Sequence, residues 1–98
     1  MTREQILRTA EKCVCGKCEQ DYGTPESNFG LIARLWEDYL GRVIEITPKD
    51  VAMMMSLLKI ARIKSGGGTG DSFVDLAGYA ACGGELYEAE CDEEVNDD

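Results

Sequence analysis

The chain contains no histidine. That absence removes every scheme built on an imidazole, among them Ser-His-Asp triads, Cys-His pairs and HExxH zinc sites. No apolar run approaches the ~18 residues that a membrane span needs. Met1-Thr-Arg-Glu-Gln5 lacks the apolar stretch of a signal peptide, so the expected location is the cytoplasm. Basic residues are missing from Glu85 onward, where eight acids stand unopposed (Glu85, Glu88, Glu90, Asp92, Glu93, Glu94, Asp97, Asp98). Residues 1–84 hold eleven acids and ten bases, so the net charge of −9 belongs almost wholly to the acidic segment. A body so near neutrality has none of the basic footprint of a duplex nucleic-acid binder. Strand-type alternation and internal repeats are absent too. Three classes stay open: a carboxylate-metal enzyme, a cysteine chemistry and a binding protein.

What the chain does have is helical period and clear punctuation. Ile6, Ala10 and Cys13 recur at helical spacing and predict a first helix over Arg3–Val14. Both prolines follow a threonine, an N-cap followed by the first helical position. Thr24-Pro25 opens a second helix carrying Phe29, Ile32, Leu35, Trp36, Tyr39 and Leu40, which Gly41 stops. Val43–Ile46 reads as a short extended connector. Thr47-Pro48 opens a third helix, with Asp50 placed for a capping box and an apolar body running to Ile63. That body is apolar nearly all round, and four helices of this length cannot wrap one of their own, so an oligomer is expected to cover it. Ser65–Gly70 is a hinge. A fourth helix is expected from a cap at Asp71 or Ser72 to about Glu90. Its small-residue middle, Ala77–Gly84, suggests close approach of another backbone. The expectation is an all-α, four-helix protomer over residues 1–87 in a homo-oligomer, followed by a frayed, solvated acidic tail over 88–98.

Candidate chemistry is sparse, and each feature has a plainer reading. Cys13, Cys15 and Cys18 put three thiols within six residues. A closed thiolate site would need a fourth ligand from Cys82, Cys91 or a carboxylate, and the usual two-plus-two spacing is missing. They read as reduced thiols beside a helix end. The glycines of 66–70 lack the Lys-Ser/Thr that follows a phosphate-binding loop, so they read as a linker. Asp71 and Asp75, four apart, could hold Mg²⁺ through oxygen ligands or simply suit the positive end of the helix dipole. Lys59 and Arg62 interrupt the most apolar helix. A cation in such a place needs a partner, either Asp75 or Asp71 across the helix pair or an anionic ligand such as phosphate. Tyr22, Phe29, Trp36 and Tyr39 are core residues or a stacking platform. Met53–Met55 fill a core or an interface.

The blocks Asp21-Tyr-Gly-Thr-Pro-Glu-Ser-Asn-Phe29, Ile32-Ala-Arg-Leu-Trp36, Ile46-Thr-Pro-Lys-Asp-Val51, Leu58-Lys-Ile-Ala-Arg62 and Asp71-Ser-Phe-Val-Asp-Leu-Ala-Gly-Tyr-Ala80 fall in an order that resembles a family of short phage and prophage proteins of unknown function. That family is distantly similar to MazG-like all-α nucleotide pyrophosphohydrolases, which are helical oligomers holding Mg²⁺ on paired acids. The resemblance implies a helical oligomer with a nucleotide-sized pocket. This chain departs from the metal pattern: Glu37 and Asp38 are adjacent, Asp50 has no partner acid, and only Asp71 and Asp75 pair. Binding without turnover follows as the leading expectation, with no cofactor and no catalytic residue. Its ligand would be a phosphorylated nucleotide signal of host defence, such as a cyclic oligonucleotide or a cyclic ADP-ribose relative. Lys59 and Arg62 would meet phosphate, Tyr22, Trp36 or Tyr39 would stack on a base, and Asn28 and Asp75 would bond ribose or base edges. The alternatives are Mg²⁺-dependent pyrophosphohydrolysis through Asp71, Asp75 and Glu37 or Asp38, and a structural or partner-binding phage protein.

Overall fold

A computed structural model describes residues 1–16 and 23–96, with side chains described through residue 90. Four helices follow in order: α1 Arg3–Cys15, α2 Pro25–Tyr39, α3 Pro48–Lys64 and α4 Gly70–Asn96. No strand occurs among the described residues, and the fold is all-α. No helix is long and apolar enough to cross a membrane.

The helix starts follow from the punctuation. Thr24 Oγ1 accepts from the Ser27 amide at 3.2 Å, and Pro25 occupies the first helical position. Thr47 and Asp50 form a full capping box, each side chain accepting from the other's backbone N–H. Thr2 and Gln5 cap α1 in the same reciprocal way, a signal that the sequence reading did not use. Each box satisfies two otherwise orphaned donors. The entry to α4 differs from expectation. The helix begins at Gly70, and the Ser72 hydroxyl accepts from the Thr69 amide at 3.3 Å, so Asp71 and Ser72 lie inside the first turn and are not its cap. At its other end α4 runs on to Asn96, past the stop expected near Glu90, since no glycine or proline follows Gly84.

Helices α3 and α4 form the spine, with α1 laid on α4 and α2 on α3. Lys49 on Glu90 and Lys59 on Asp75 set the pair antiparallel. Small residues let the helices close on one another. A Cβ on Gly83 would stand 2.5 Å from Met53 Cε, and one on Gly78 would stand 3.1 Å from Val14 Cγ1. Each of these helix-interior glycines, at a propensity cost of ~1 kcal/mol, thus has a side chain of its own chain close by, and the Met53 end opposite Gly83 is flexible enough to move. The core gathers Phe29, Ala33, Ile46, Val51, Ala52, Cys82 and Leu86, with Ile32, Trp36, Met55 and Tyr79 packed around it. Phe29 and Tyr79 meet at 6.2 Å between ring centroids. Residues 40–47 hold no extended run at Val43–Ile46. Instead Gly41 and Arg42 both take positive φ (77° and 61°), and Ile46 dips into the core. Arg42 is held there by its backbone N–H on Glu37 O and its Nε on Asp38 Oδ1 at 2.6 Å.

The core is small for the apolar content. Met53, Met54, Leu57, Leu58 and Ile60 of α3 are exposed, as are Leu31, Leu35 and Leu40 at α2 and its end, and Phe73 and Tyr87 of α4. The chain exposes 7234 Å². A compact monomer of 10.8 kDa exposes about 5,500 Å². Its radius of gyration, 14.7 Å, likewise exceeds the ~12.6 Å of a compact 98-residue domain. Val51, at 0% exposure, anchors what core there is. Replacing it with alanine is expected to lower stability by about 2 kcal/mol, and Thr47→Ala by about 1 kcal/mol through loss of the cap. Urea denaturation of each variant against the parent checks both.

Candidate functional site

The centre of the candidate site is the pair of cations on α3. Residues 51, 52, 55, 56, 59 and 63 form the less exposed face of that helix, turned to the rest of the protomer. Lys59 lies on it, and its side chain is only 15% exposed. Its Nζ sits 3.0 Å from Asp75 Oδ2 on α4. The carboxylate is itself 45% exposed, so solvent still weakens the attraction. This is the cross-helix pairing, one of the two partners that the sequence left open for Lys59. Arg62, three residues on, is exposed and makes no ion pair among the described residues. The two cations therefore have different circumstances despite their shared helix.

The other candidate residues are dispersed. Trp36 packs against the core, Asn28 is half-buried in the first turn of α2, and Tyr39 ends that helix with 89% of its surface exposed. Tyr22 and Cys18 lie outside the described residues. Asp71 is exposed in the first turn of α4. Two acids weighed for a metal have other work. Glu37 Oε2 accepts from the Ile46 amide at 2.8 Å, tying the α2–α3 connection, and Asp38 is paired with Arg42. No three Cys, Asp or Glu side chains among the described residues are grouped to hold a metal ion.

Several clefts lie between the helices, and among the described candidate ligand residues Asp75 lines one of them. That cleft, of about 170 Å³, is walled by Cys13, Val14, Phe29, Val74, Gly78, Tyr79 and Cys82. Its lining is mostly apolar. Sequence reasoning missed it, although Asp75, Gly78, Tyr79 and Cys82 fall at helical spacing on one face and could have marked it. A second cleft, of about 310 Å³, lies among the ends of α1 and α2 and the middle of α4. The charged residues on its walls, Glu26 and Glu85, are both acids. That is the wrong sign for phosphate.

The fold and these placements define a class: a small all-helical protein whose α3 and α4 are joined by two part-buried ion pairs, with an unpaired surface arginine among the described residues and many exposed apolar side chains. The chain belongs to the family described as a domain of unknown function, DUF6378, whose model matches residues 5–87. It is similar to the Gene 55 protein of Mycobacterium phage D29, 46% identical over 85 residues, which is 87% of this chain and 55% of that protein. It is also similar to the Gene 55 protein of Mycobacterium phage L5, 52% identical over 75 residues, covering 76% of this chain and 47% of that one. The chain thus spans about half the length of the curated relatives it matches. No solved structure matches it.

The ion pair makes a measurable demand. Asp75→Asn leaves a mostly buried ammonium without its counter-charge and is expected to cost about 1–2 kcal/mol, between the values for exposed and buried pairs. Arg62→Gln should stay within about 0.5 kcal/mol of the parent, as an exposed substitution. Thermal and urea unfolding of the two variants compare them directly.

Proposed function

We propose that this phage-family protein works by binding, as a helical homo-oligomer in the cytoplasm of the bacterial host. Its ligand is a phosphorylated nucleotide signal of the cyclic oligonucleotide or cyclic ADP-ribose type, and capture of that signal blunts host defence. One observation supports the reading: Arg62 projects from the apolar helix to solvent with no ion pair among the described residues, while its neighbour Lys59 is neutralised by Asp75. A guanidinium so placed offers a planar fork to phosphate. The exposed ring of Tyr39 is available to stack on a base. In this reading Lys59 and Asp75 hold α3 against α4, and the pocket forms between protomers. Tyr22, Asn28 and Trp36 are secondary candidates.

The hydrolase alternative asks for about four convergent carboxylates around bound Mg²⁺. Asp75, Glu37 and Asp38 are each engaged elsewhere, which supports binding over turnover. The exposed apolar surface favours a second reading, a structural or partner-binding phage protein whose assembly is itself the function. Titration calorimetry with cyclic dinucleotides and cyclic ADP-ribose isomers separates the two. Ligand capture predicts stoichiometric heat with at least one of them, and at least a tenfold loss in Arg62→Gln, the scale of one charged hydrogen bond. Absence of heat with every nucleotide overturns capture and leaves the assembly reading.

A further inference from the structure

We infer that a second copy of this chain docks on the outer face of α4, antiparallel, with a twofold axis near Ala80. The inference deepens the reading of the protein as an oligomer, whereas ligand capture is separate from it. Three observations carry it.

The first is an unexplained glycine. A Cβ on Gly78 or Gly83 would press on a side chain of its own chain, Val14 Cγ1 or the flexible end of Met53. Gly84 is different: it lies in the interior of α4, is exposed, and a Cβ there would meet nothing in its own chain. Glycine is among the worst helix formers, so its use here points to a backbone that approaches from outside. The second is the pattern around it. Phe73, Ala77, Ala80, Gly84 and Tyr87 recur at alternating four- and three-residue steps, the period of a helix seam. Phe73 and Tyr87 are about half exposed, with Lys49 Nζ over the Tyr87 ring at 5.8 Å, Ala80 and Gly84 are exposed, and Ala77 is half-buried. The series reads nearly the same in both directions from Ala80, with large rings at its ends and small residues at its centre. An isologous contact needs this self-complementarity, because residue i meets j while j meets i. In antiparallel register Phe73 meets the partner's Tyr87, and the small centre lets the two α4 backbones come close.

The third observation is charge and area. The turn between α3 and α4 is flanked by exposed Arg62 and Lys64 on one side and exposed Asp71 on the other, a net positive end, whereas the far part of α4 carries exposed Glu85 and Glu88. Antiparallel packing sets the basic end of one hairpin toward the acidic end of the other, and parallel packing would set like charges together. The chain as a whole exposes roughly 1,700 Å² more than a compact monomer of its mass, and the outer face of α4 is one part of that surface. Exposed Met53, which touches Gly83, extends the face onto α3.

Sedimentation and native mass spectrometry of the full chain, with its thiols reduced, test this. The parent is expected to associate, and Ala80→Arg to fall to single chains with its helical circular dichroism intact. Gly84→Ala is the conservative check should Ala80→Arg fail to fold. It is expected to weaken association at least tenfold, although alanine is the better helix former. Leu7→Arg, on exposed α1, should associate like the parent. A parent that stays single at all concentrations overturns the proposal. So does association unchanged in both α4 variants, or a Gly84→Ala chain that is more stable and equally associated. Titrating the parent with cyclic di-AMP on the same samples keeps the two readings apart, since an associated chain that gives no heat counts against capture alone.

Discussion

The constraint behind this structure is an imbalance between apolar sequence and interior space. α3 is apolar on most of its circumference, yet only Val51, Ala52 and Ser56 of that helix are buried. Met55 packs at the edge of the core, while Met53, Met54, Leu57 and Leu58 are 40–64% exposed. A small domain already buries a modest fraction of its surface, and here the deficit is larger than size alone explains. Every other feature is arranged around the part that is covered. The caps start the helices, Ile46 tucks the α2–α3 connection into the core, and Lys59 with Asp75 locks α3 to α4.

The ion pair shows how such a spine tolerates a cation in its greasiest segment. Lys59 is long enough to lay its methylenes along α3 while its ammonium reaches the Asp75 carboxylate at the edge of α4. With the carboxylate part-exposed, the desolvation penalty stays moderate and the pair acts as a register pin more than a source of stability. Arg62 sits three residues later on the exposed side, where its charge needs no internal partner. Two cations that look equivalent in sequence therefore serve different ends.

Much of the architecture was legible beforehand because it is written in local chemistry. Thr-Pro pairs with well-placed acids mark helix starts through hydrogen bonds spanning three residues, and glycine after Leu40 marks a stop. Local rules failed where tertiary contacts decide. Val43–Ile46 looks extended, but the positive φ at Gly41 and Arg42 and the burial of Ile46 set its path. Asp71 and Ser72 look like caps, yet α4 starts earlier and uses Ser72 from within. The site was less legible than the fold. The apolar pattern of α3 suggested that Lys59 and Arg62 both need partners; exposed Arg62 makes no ion pair among the described residues, and only the antiparallel register of α3 and α4 determines that Asp75 meets Lys59. The roles of Gly78, Gly83 and Gly84 in α4 were equally hidden, because what lies opposite each one is a property of packing.

The proposed docking of a second copy on the outer face of α4 would give the protomer the cover that it lacks alone. Its most direct test is the dependence of thermal unfolding on protein concentration, followed by circular dichroism with the thiols reduced. If folding and association are coupled, mass action makes the melting temperature climb steadily as the chain is concentrated. A melting temperature that stays constant across the whole range, with a single cooperative transition, would show that one chain is stable with its apolar face in water and would contradict the account.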